Sequence, residues 1–331
     1  RRRERIDGCV NPSTKAVHPG GKEESIVHPH VAEKGSGASP ISDNPLYKAV
    51  FSKVDWRIIP LLLIAYMVAY LDRINIGYAQ LQMKQTLPFD DAVYGLGAGI
   101  FFIGYFLFEV PSNLLLERIG ARKTLLRIMV LWGLAASAMM FVSTPAQFYT
   151  VRFLLGVFEA GFFPGVILYF TYWYPSARRG QVIAIFMSAT TIVSVIAGPL
   201  CGAILKYFDG FSGLHGWQWL FLVQGLPAVF LGVLVYLTLE DKPSQAKWLS
   251  PEEKALIDDA FRNDVKSASS SHTGSFGQCL RDPRVYLLSL IYFLLLGATY
   301  TMVFWMPTLV QSWGIKDLFM IGVYTAIPNA V

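Results

Sequence analysis

The feature that most constrains this sequence is a series of apolar segments, each about 20 residues long. A segment of that length crosses the hydrocarbon core of a bilayer as one α-helix, whose internal hydrogen bonds satisfy the backbone. Such segments occur at residues 56–79, 93–116, 124–142, 147–173, 180–205, 217–239 and 285–310, and a further one begins near residue 318. The sequence therefore predicts an all-α membrane protein.

The composition agrees with a chain that lies largely in lipid. Only 15% of the 331 residues are charged and 53% are hydrophobic, whereas soluble domains carry about 25% charged residues. The cysteines Cys9, Cys201 and Cys279 have neither metal nor disulfide spacing, so we expect inert thiols. We find no phosphate-binding glycine loop and no metal-ligand cluster in the sequence, and we expect no cofactor and no metal.

The polar stretches predict four regions. Residues 1–47 have no apolar period and are predicted to be a disordered cytoplasmic tail. Residues 48–240 hold the first six apolar segments and are predicted to form a six-helix bundle. Residues 241–284 are predicted to be a cytoplasmic linker, whose amphipathic helix has Ser250 as its N-cap and proline at its first position. We expect residues 285–331 to begin a second bundle, which this sequence leaves incomplete.

The positions of lysine and arginine predict the orientation. They concentrate in the tail, in the loops after the second and fourth segments, and in the long linker. By the positive-inside rule these regions, and the N-terminus with them, are cytoplasmic. The pI near 9.0 then reflects topology, and we expect no binding to nucleic acid.

Several motifs resemble those of the major facilitator superfamily. The stretch NLLLERIGARKTLL (113–126) resembles its signature loop, with Asn113, Glu117 and Ala121 as departures. RFLLGVFEAG (152–161) resembles its motif in span four, and AGPLCGA (197–203) resembles its Gly-Pro motif in span five. The order and spacing of these motifs carry the resemblance.

A finer likeness is to the anion:cation symporter branch, and it runs from about residue 50 to the end. It rests on YLDRINIGYA, EVPSNLLLERIGARK, FEAGFFPG, TYWYPSARRGQ, GWQWLFLVQGLPAV and KWLSPEEK. The resemblance implies two six-helix bundles and uptake of small organic anions with protons. Bacterial members carry sugar acids, tartrate-like acids and aromatic acids. We therefore expect a monomeric, non-enzymatic protein of the bacterial inner membrane that binds a small carboxylate and protons.

Four ionisable side chains lie well inside the predicted spans: Asp72, Arg73, Arg152 and Glu159. Ionisable groups in a bilayer are costly and mark a transport pathway, a proton relay or an ion pair. At about 1.5 Å of rise per residue, Asp72 and Arg152 lie at similar heights. Glu159 lies two turns below Arg152 on the same helical face, near the midplane.

Arg73 is the predicted substrate anchor, because a planar guanidinium holds a carboxylate through two parallel hydrogen bonds. The resemblance supports that role, since related symporters bind the anion near this Asp-Arg pair. Asn75 and Tyr70 are predicted to add hydrogen bonds to the substrate. The alternative is that Arg73 pairs with a local acid or closes a gate.

Glu159 and Asp72 are the predicted proton carriers, because burial disfavours the charged form of a carboxyl group. We expect Asp72 to pair with Arg152 when it is deprotonated, which makes Arg152 a partner rather than a ligand. The alternatives are a Glu159 that stays protonated between helices and a permanent structural pair of Asp72 with Arg152.

The basic loop after the second span is predicted to act in gating, through ion pairs that form in one state and break in the other. Its members are Glu117, Arg118, Arg122 and Lys123. The alternative is that these charges only follow the positive-inside rule.

Taken together, these features predict a secondary active transporter that imports a small carboxylate with protons by alternating access. Two rival functions remain open. AGPLCGA favours anion exchange or proton antiport, and the long linker is compatible with a transporter-like sensor that binds a ligand and signals.

Overall fold

The computed structural model describes residues 45–268 and 281–330. Within these ranges every regular element is a helix, and no strand occurs. Residues 1–44 of the predicted tail, residues 269–280 of the linker, Cys9 and Cys279 lie outside the described residues, whereas residues 45–47 of that tail are helical.

The α-helices are, in chain order, α1 (Pro45–Ile74), α2 (Ile76–Thr86), α3 (Asp91–Ile119), α4 (Ala121–Ala138), α5 (Pro145–Glu159), α6 (Phe162–Trp173), α7 (Ser176–Tyr207), α8 (Gly216–Thr238), α9 (Pro251–Ala268), α10 (Pro283–Ser312) and α11 (Leu318–Ala330). Seven helical segments of the described chain are long and apolar enough to cross a membrane. Each coincides with one predicted span, and α11 starts where the further apolar segment was predicted. The all-α membrane fold class is confirmed.

Two of the spans are interrupted. The first consists of α1 and α2, which meet at Asn75, where the backbone keeps right-handed helical angles. The fourth consists of α5 and α6, which meet at Ala160 and Gly161. Ala160 is not helical, and Gly161 has a φ of +86°, a conformation that favours glycine because it has no Cβ. Both spans were predicted as continuous helices. At Asn75 the helical hydrogen bonds continue, from the Asn75 amide to Leu71 and from the Ala79 amide to Asn75, whereas at Ala160 and Gly161 the helix is broken.

One end of the molecule gathers the cationic loops, and we call it the basic face. It comprises the start of α1, the α3–α4 turn, the start of α7 and the linker with α9. Contacts between these elements show that they share a face: Arg178 donates to Asp55 at 2.8 Å, and Lys53 pairs with Glu253 at 3.0 Å.

The linker helix α9 begins as predicted. Ser250 Oγ accepts from the Glu253 amide at 3.2 Å, and the Glu253 carboxylate accepts from the Ser250 amide at 2.8 Å. This reciprocal capping box satisfies two amides that the helix itself leaves unpaired. Trp248, just before it, stacks on Trp173 of α6 with ring centroids 5.7 Å apart, which fastens the linker to the spans.

The last two helices, α10 and α11, contact the first six spans at the end opposite the basic face. Gln80 and Tyr94 both donate to the carbonyl of Phe304 in α10, at 2.9 and 3.1 Å. Gly198 of α7 lies against the backbone of Gly322 in α11, so closely that a Cβ at either position would collide. By contrast, residues 286–299 of α10 are all exposed. Among the described residues, α10 therefore packs against the other spans through its C-terminal half.

Candidate functional site

The two interrupted spans bring all four predicted intramembrane charges together. Asp72 and Arg73 lie in the last turn of α1, and Glu159 is the last residue of α5. Arg152 lies two turns earlier in α5. Discontinuous helices in membrane transporters free backbone and side-chain groups for ligands near the bilayer midplane. We call Asp72, Arg73, Arg152 and Glu159 the charged cluster.

Arg73 forms an ion pair with Glu159 and reaches a third residue. Its Nε donates to Glu159 Oε1 at 3.1 Å, and its Nη2 contacts the same oxygen. Its Nη1 donates to the hydroxyl of Tyr300 in α10 at 3.0 Å. The guanidinium thus connects the first span, the fourth span and α10. In this conformation Arg73 therefore pairs with a nearby acid, as the alternative to substrate anchoring predicted.

Aromatic rings surround the same guanidinium. Its central carbon lies 5.0 Å from the ring centroid of Tyr105 and 5.4 Å from that of Phe101. The central carbon of Arg152 lies 5.0 Å from the Phe101 centroid as well. Cation–π attraction stabilises both positive charges where lipid and protein exclude bulk water.

Asp72 is held by hydrogen bonds from neutral donors. Trp132 Nε1 donates to Oδ2 at 2.8 Å, and Asn75 Nδ2 donates to Oδ1 at 3.0 Å. The side chain is 1% exposed. The predicted ion pair of deprotonated Asp72 with Arg152 does not occur in this conformation. The two residues were placed at similar heights, but Asp72 accepts from Trp132 and Asn75, and Arg152 donates to Gly97.

Arg152 is completely buried with little protein bonding. Its Nε donates to the carbonyl of Gly97 at 3.2 Å. Among the described residues, its Nη1 and Nη2 have no hydrogen-bond partner, and neither does Glu159 Oε2. A buried charge without hydrogen bonds is unstable relative to one that has them. These atoms are therefore available to exchange partners, with a ligand or with each other.

The predicted substrate contacts Asn75 and Tyr70 are placed differently. Asn75 is fully buried, and its amide supports Asp72 rather than facing a cavity. Tyr70 is partly buried and packs against the small cluster of Ile74, Val193 and Ala197. Neither residue is in contact with the Arg73 guanidinium through a hydrogen bond in the described structure.

The predicted gating loop is tied to the first six spans. Arg122 Nε donates to the carbonyl of Tyr236 at the end of α8 at 3.1 Å, and its amide donates to Asp241 at 2.9 Å. Glu117, Arg118 and Lys123 are exposed, and within the described part of the chain they form no ion pair. Of these four residues, Arg122 is the one that side-chain hydrogen bonds and its amide tie to other described elements.

Sequence reasoning missed Tyr300 and Trp132. Both are aromatic side chains with a polar tip inside an apolar span, a pattern shared with many residues that only pack. No group of three metal-ligating side chains occurs among the described residues. Cys201 is buried and free.

Comparison with known proteins places the chain in context. The sequence profile of the Major Facilitator Superfamily matches residues 62–331. The chain is 50% identical over 283 residues to the "Putative metabolite transport protein NicT" of Pseudomonas putida, covering 85% of this chain and 64% of that protein. It is 45% identical over 288 residues to a "Putative tartrate transporter" of Agrobacterium vitis, covering 87% and 66%.

A third relative is named for a different role. The "Quinolone resistance transporter" of Acinetobacter baumannii is 45% identical over 281 residues, covering 85% of this chain and 64% of that protein. The chain thus spans about 64% of the length of two of these relatives and 66% of the other.

A solved structure shares the fold. The inward-facing, occupied crystal structure of a bacterial homologue of the human lysosomal transporter Spinster matches with a TM-score of 0.65 at 19% identity. The match covers 82% of this chain and 58% of that one. At this identity the likeness concerns the fold alone.

Proposed function

The chain belongs to the major facilitator superfamily, and from that membership we propose that the protein imports a small carboxylate together with protons. The superfamily consists of multi-pass membrane transporters and not of enzymes. The predictions of a multi-pass membrane protein and of a non-enzymatic one are therefore confirmed. The relatives named for metabolite and tartrate transport are consistent with the predicted organic-anion branch. Proton coupling, the direction of transport and the substrate are proposals.

The observation that carries the proposal is the ion pair of Arg73 with Glu159. A guanidinium in this environment needs one negative partner, and a carboxylate substrate can replace Glu159 in that role. When Glu159 takes up a proton it loses its charge, and Arg73 is released to hold the substrate. One proton then enters with one anion, because the net charge of the site is the same before and after loading.

Tyr300 extends this exchange to the second bundle that we propose begins with α10. It shares the Arg73 guanidinium with Glu159 across the interface between the first six spans and α10. A substrate that binds Arg73 competes with this contact and changes how α10 is held. Binding and the rocking of the bundles are thereby coupled.

The orientation follows from the positive-inside rule, which makes the basic face cytoplasmic. α10 then contacts the other spans at the outer end. We propose that this outer contact is kept in the inward-facing state, in which substrate is released to the cytoplasm. A monomer in the bacterial inner membrane is sufficient for this cycle.

Uptake into liposomes tests the proposal. The full-length protein is assayed with a panel of labelled carboxylates, with and without an inward proton gradient, as wild type and as Glu159→Gln. We expect gradient-driven accumulation to be lost in Glu159→Gln and counterflow exchange to persist. The matched control is Glu253→Gln on the basic face, which should transport like the wild type. Uptake that is indifferent to the gradient would reject symport.

A second candidate is proton antiport, which one relative's name and one contact favour. The relative is named for quinolone resistance, and Gly198 of the Gly-Pro motif packs on Gly322, where a motion of α7 would move α11. The same liposomes with an acidic lumen separate the two functions. Antiport predicts that solute accumulates inside as protons leave, and symport predicts that it does not.

A further inference from the structure

A groove of about 560 Å³ opens where the spans meet the basic face. Three elements line it. Helix α1 contributes Lys53, Arg57 and Leu61, α8 contributes Leu234 and Thr238, and the linker contributes Trp248. No residue of the charged cluster lines this groove, so the groove is a separate feature.

The lining of the groove is cationic at one end and apolar at the other, which matches an amphiphilic molecule. Lys53, Arg57 and Leu61 follow one another at intervals of four residues, so they form one stripe along α1. The stripe is cationic at the basic face and apolar toward the centre of the span. Leu234 provides the apolar counterpart on α8.

The cationic end is held in place by the linker. Trp248 donates to Glu240 at 3.0 Å and stacks on Trp173. The Arg57 guanidinium lies 5.2 Å and the Lys53 ammonium 5.9 Å from the Trp248 ring centroid. Both cations are thus positioned over one fixed ring.

Arg57 has capacity for an anion. It is exposed, and among the described residues it has no carboxylate within ion-pair distance, whereas Lys53 shares its charge with Glu253. Trp56, which also lines the groove, is 79% exposed. Tryptophans at this level of a span lie among lipid headgroups.

We propose that this groove binds an anionic phospholipid of the leaflet at the basic face. The phosphodiester would lie between Arg57 and Lys53, and the acyl chains would follow the apolar stripe of α1 and α8. Basic pockets between spans on the cytoplasmic side recognise anionic headgroups in this way. A zwitterionic phosphatidylethanolamine brings its own ammonium group beside Arg57 and is disfavoured.

Native mass spectrometry of the full-length protein tests the proposal. The protein is delipidated in detergent and offered phosphatidylglycerol, phosphatidylethanolamine or soluble glycerol 1-phosphate. We expect one retained phosphatidylglycerol, with phosphatidylethanolamine bound at least tenfold more weakly. Binding of glycerol 1-phosphate as tight as that of phosphatidylglycerol would overturn the proposal in favour of a site for free phosphate esters.

Variants separate the groove from general surface charge. Lys53→Gln/Arg57→Gln should weaken phosphatidylglycerol retention at least tenfold, whereas the charge-preserving Lys53→Arg/Arg57→Lys should keep it. The matched control is Arg281→Gln/Arg284→Gln, which removes the same charge from exposed positions before and within the first turn of α10. An equal loss in this control, or no loss in the groove variant, would contradict the proposal.

The variant Lys53→Gln/Arg57→Gln also breaks the ion pair of Lys53 with Glu253, so a last variant tests the loss of that pair alone. Glu253→Gln breaks the same contact with Lys53 from the other side and leaves both cations in the groove. We expect phosphatidylglycerol retention equal to or above that of the wild type. Loss of the lipid in Glu253→Gln would mean that docking of the linker, and not the cations, holds it.

Discussion

The same kinds of polar pair occur in two regions of this molecule with different degrees of burial. In the charged cluster, Arg73 pairs with Glu159 and Trp132 donates to Asp72, and both carboxylates are about 1% exposed. On the basic face, Arg178 pairs with Asp55 and Trp248 donates to Glu240, and these side chains are only partly buried. The pairs are chemically alike, and the burial of their carboxylates differs.

The comparison shows that burial, and not the number of contacts, decides how much a polar pair contributes to the free energy of unfolding. An exposed pair contributes about 0–1 kcal/mol, because water replaces either partner. Removing one partner of a buried pair costs roughly 3–5 kcal/mol, because the other charge is left without hydrogen bonds. A ligand or a proton can therefore exert large effects in the cluster and only small ones on the basic face.

The largest expected effect is on stability. Glu159→Ala leaves the Arg73 guanidinium with Tyr300 as its hydrogen-bond partner, and we expect a loss of about 3 kcal/mol in unfolding free energy. Glu253→Gln, which removes the charge paired with Lys53 and keeps a side chain able to cap α9, should cost less than about 1 kcal/mol. Denaturant unfolding in detergent measures both, and equal losses would remove the distinction between the two regions.

The next effect is on transport. Arg73→Lys keeps the charge, but a single ammonium cannot bond Glu159 and Tyr300 in the forked geometry of the guanidinium. We expect uptake to fall about 100-fold, which corresponds to roughly 2.7 kcal/mol, with normal expression and size-exclusion behaviour. Its counterpart Arg178→Lys on the basic face should change uptake less than about twofold. Wild-type uptake by Arg73→Lys would exclude Arg73 as the anchor.

A smaller effect is expected for the indole donors. Trp132→Phe leaves an oxygen of the buried Asp72 carboxylate without its donor, which costs about 1–3 kcal/mol in unfolding free energy. Trp248→Phe removes the equivalent bond to Glu240, but water can reach that carboxylate, so we expect about 1 kcal/mol or less. A larger loss for Trp248→Phe would show that stacking on Trp173 outweighs burial.

The smallest effect is a pH dependence on the basic face. The amide of Ser250 and the ammonium of Lys53 hold the pKa of Glu253 below its usual value. A lowered folded-state pKa adds stability above the unfolded-state pKa, and this stability disappears as the pH falls through the folded-state value. Melting curves of wild type and Glu253→Gln should therefore differ at about pH 6 and converge toward about pH 3. A constant difference would assign the effect to packing.

Much of the fold could be predicted because it depends on local rules. The length of each apolar segment sets the span, and each predicted span coincides with an observed helical segment. The N-cap at Ser250 depends on neighbouring residues, so it was predicted as well, and the structure adds Glu253 as its partner in a capping box. The positions of Arg73 and Glu159 along their helices followed from counting residues.

What the sequence by itself determined is thus the set of apolar helices and the position of each charge along them. The tertiary structure alone decided which groups meet. Arg73 pairs with Glu159 and donates to Tyr300, and Asp72 accepts from Trp132 instead of pairing with Arg152. The physical reason is that residue counting fixes height along a helix, while rotation about its axis and the interruption at Gly161 are set by packing between spans.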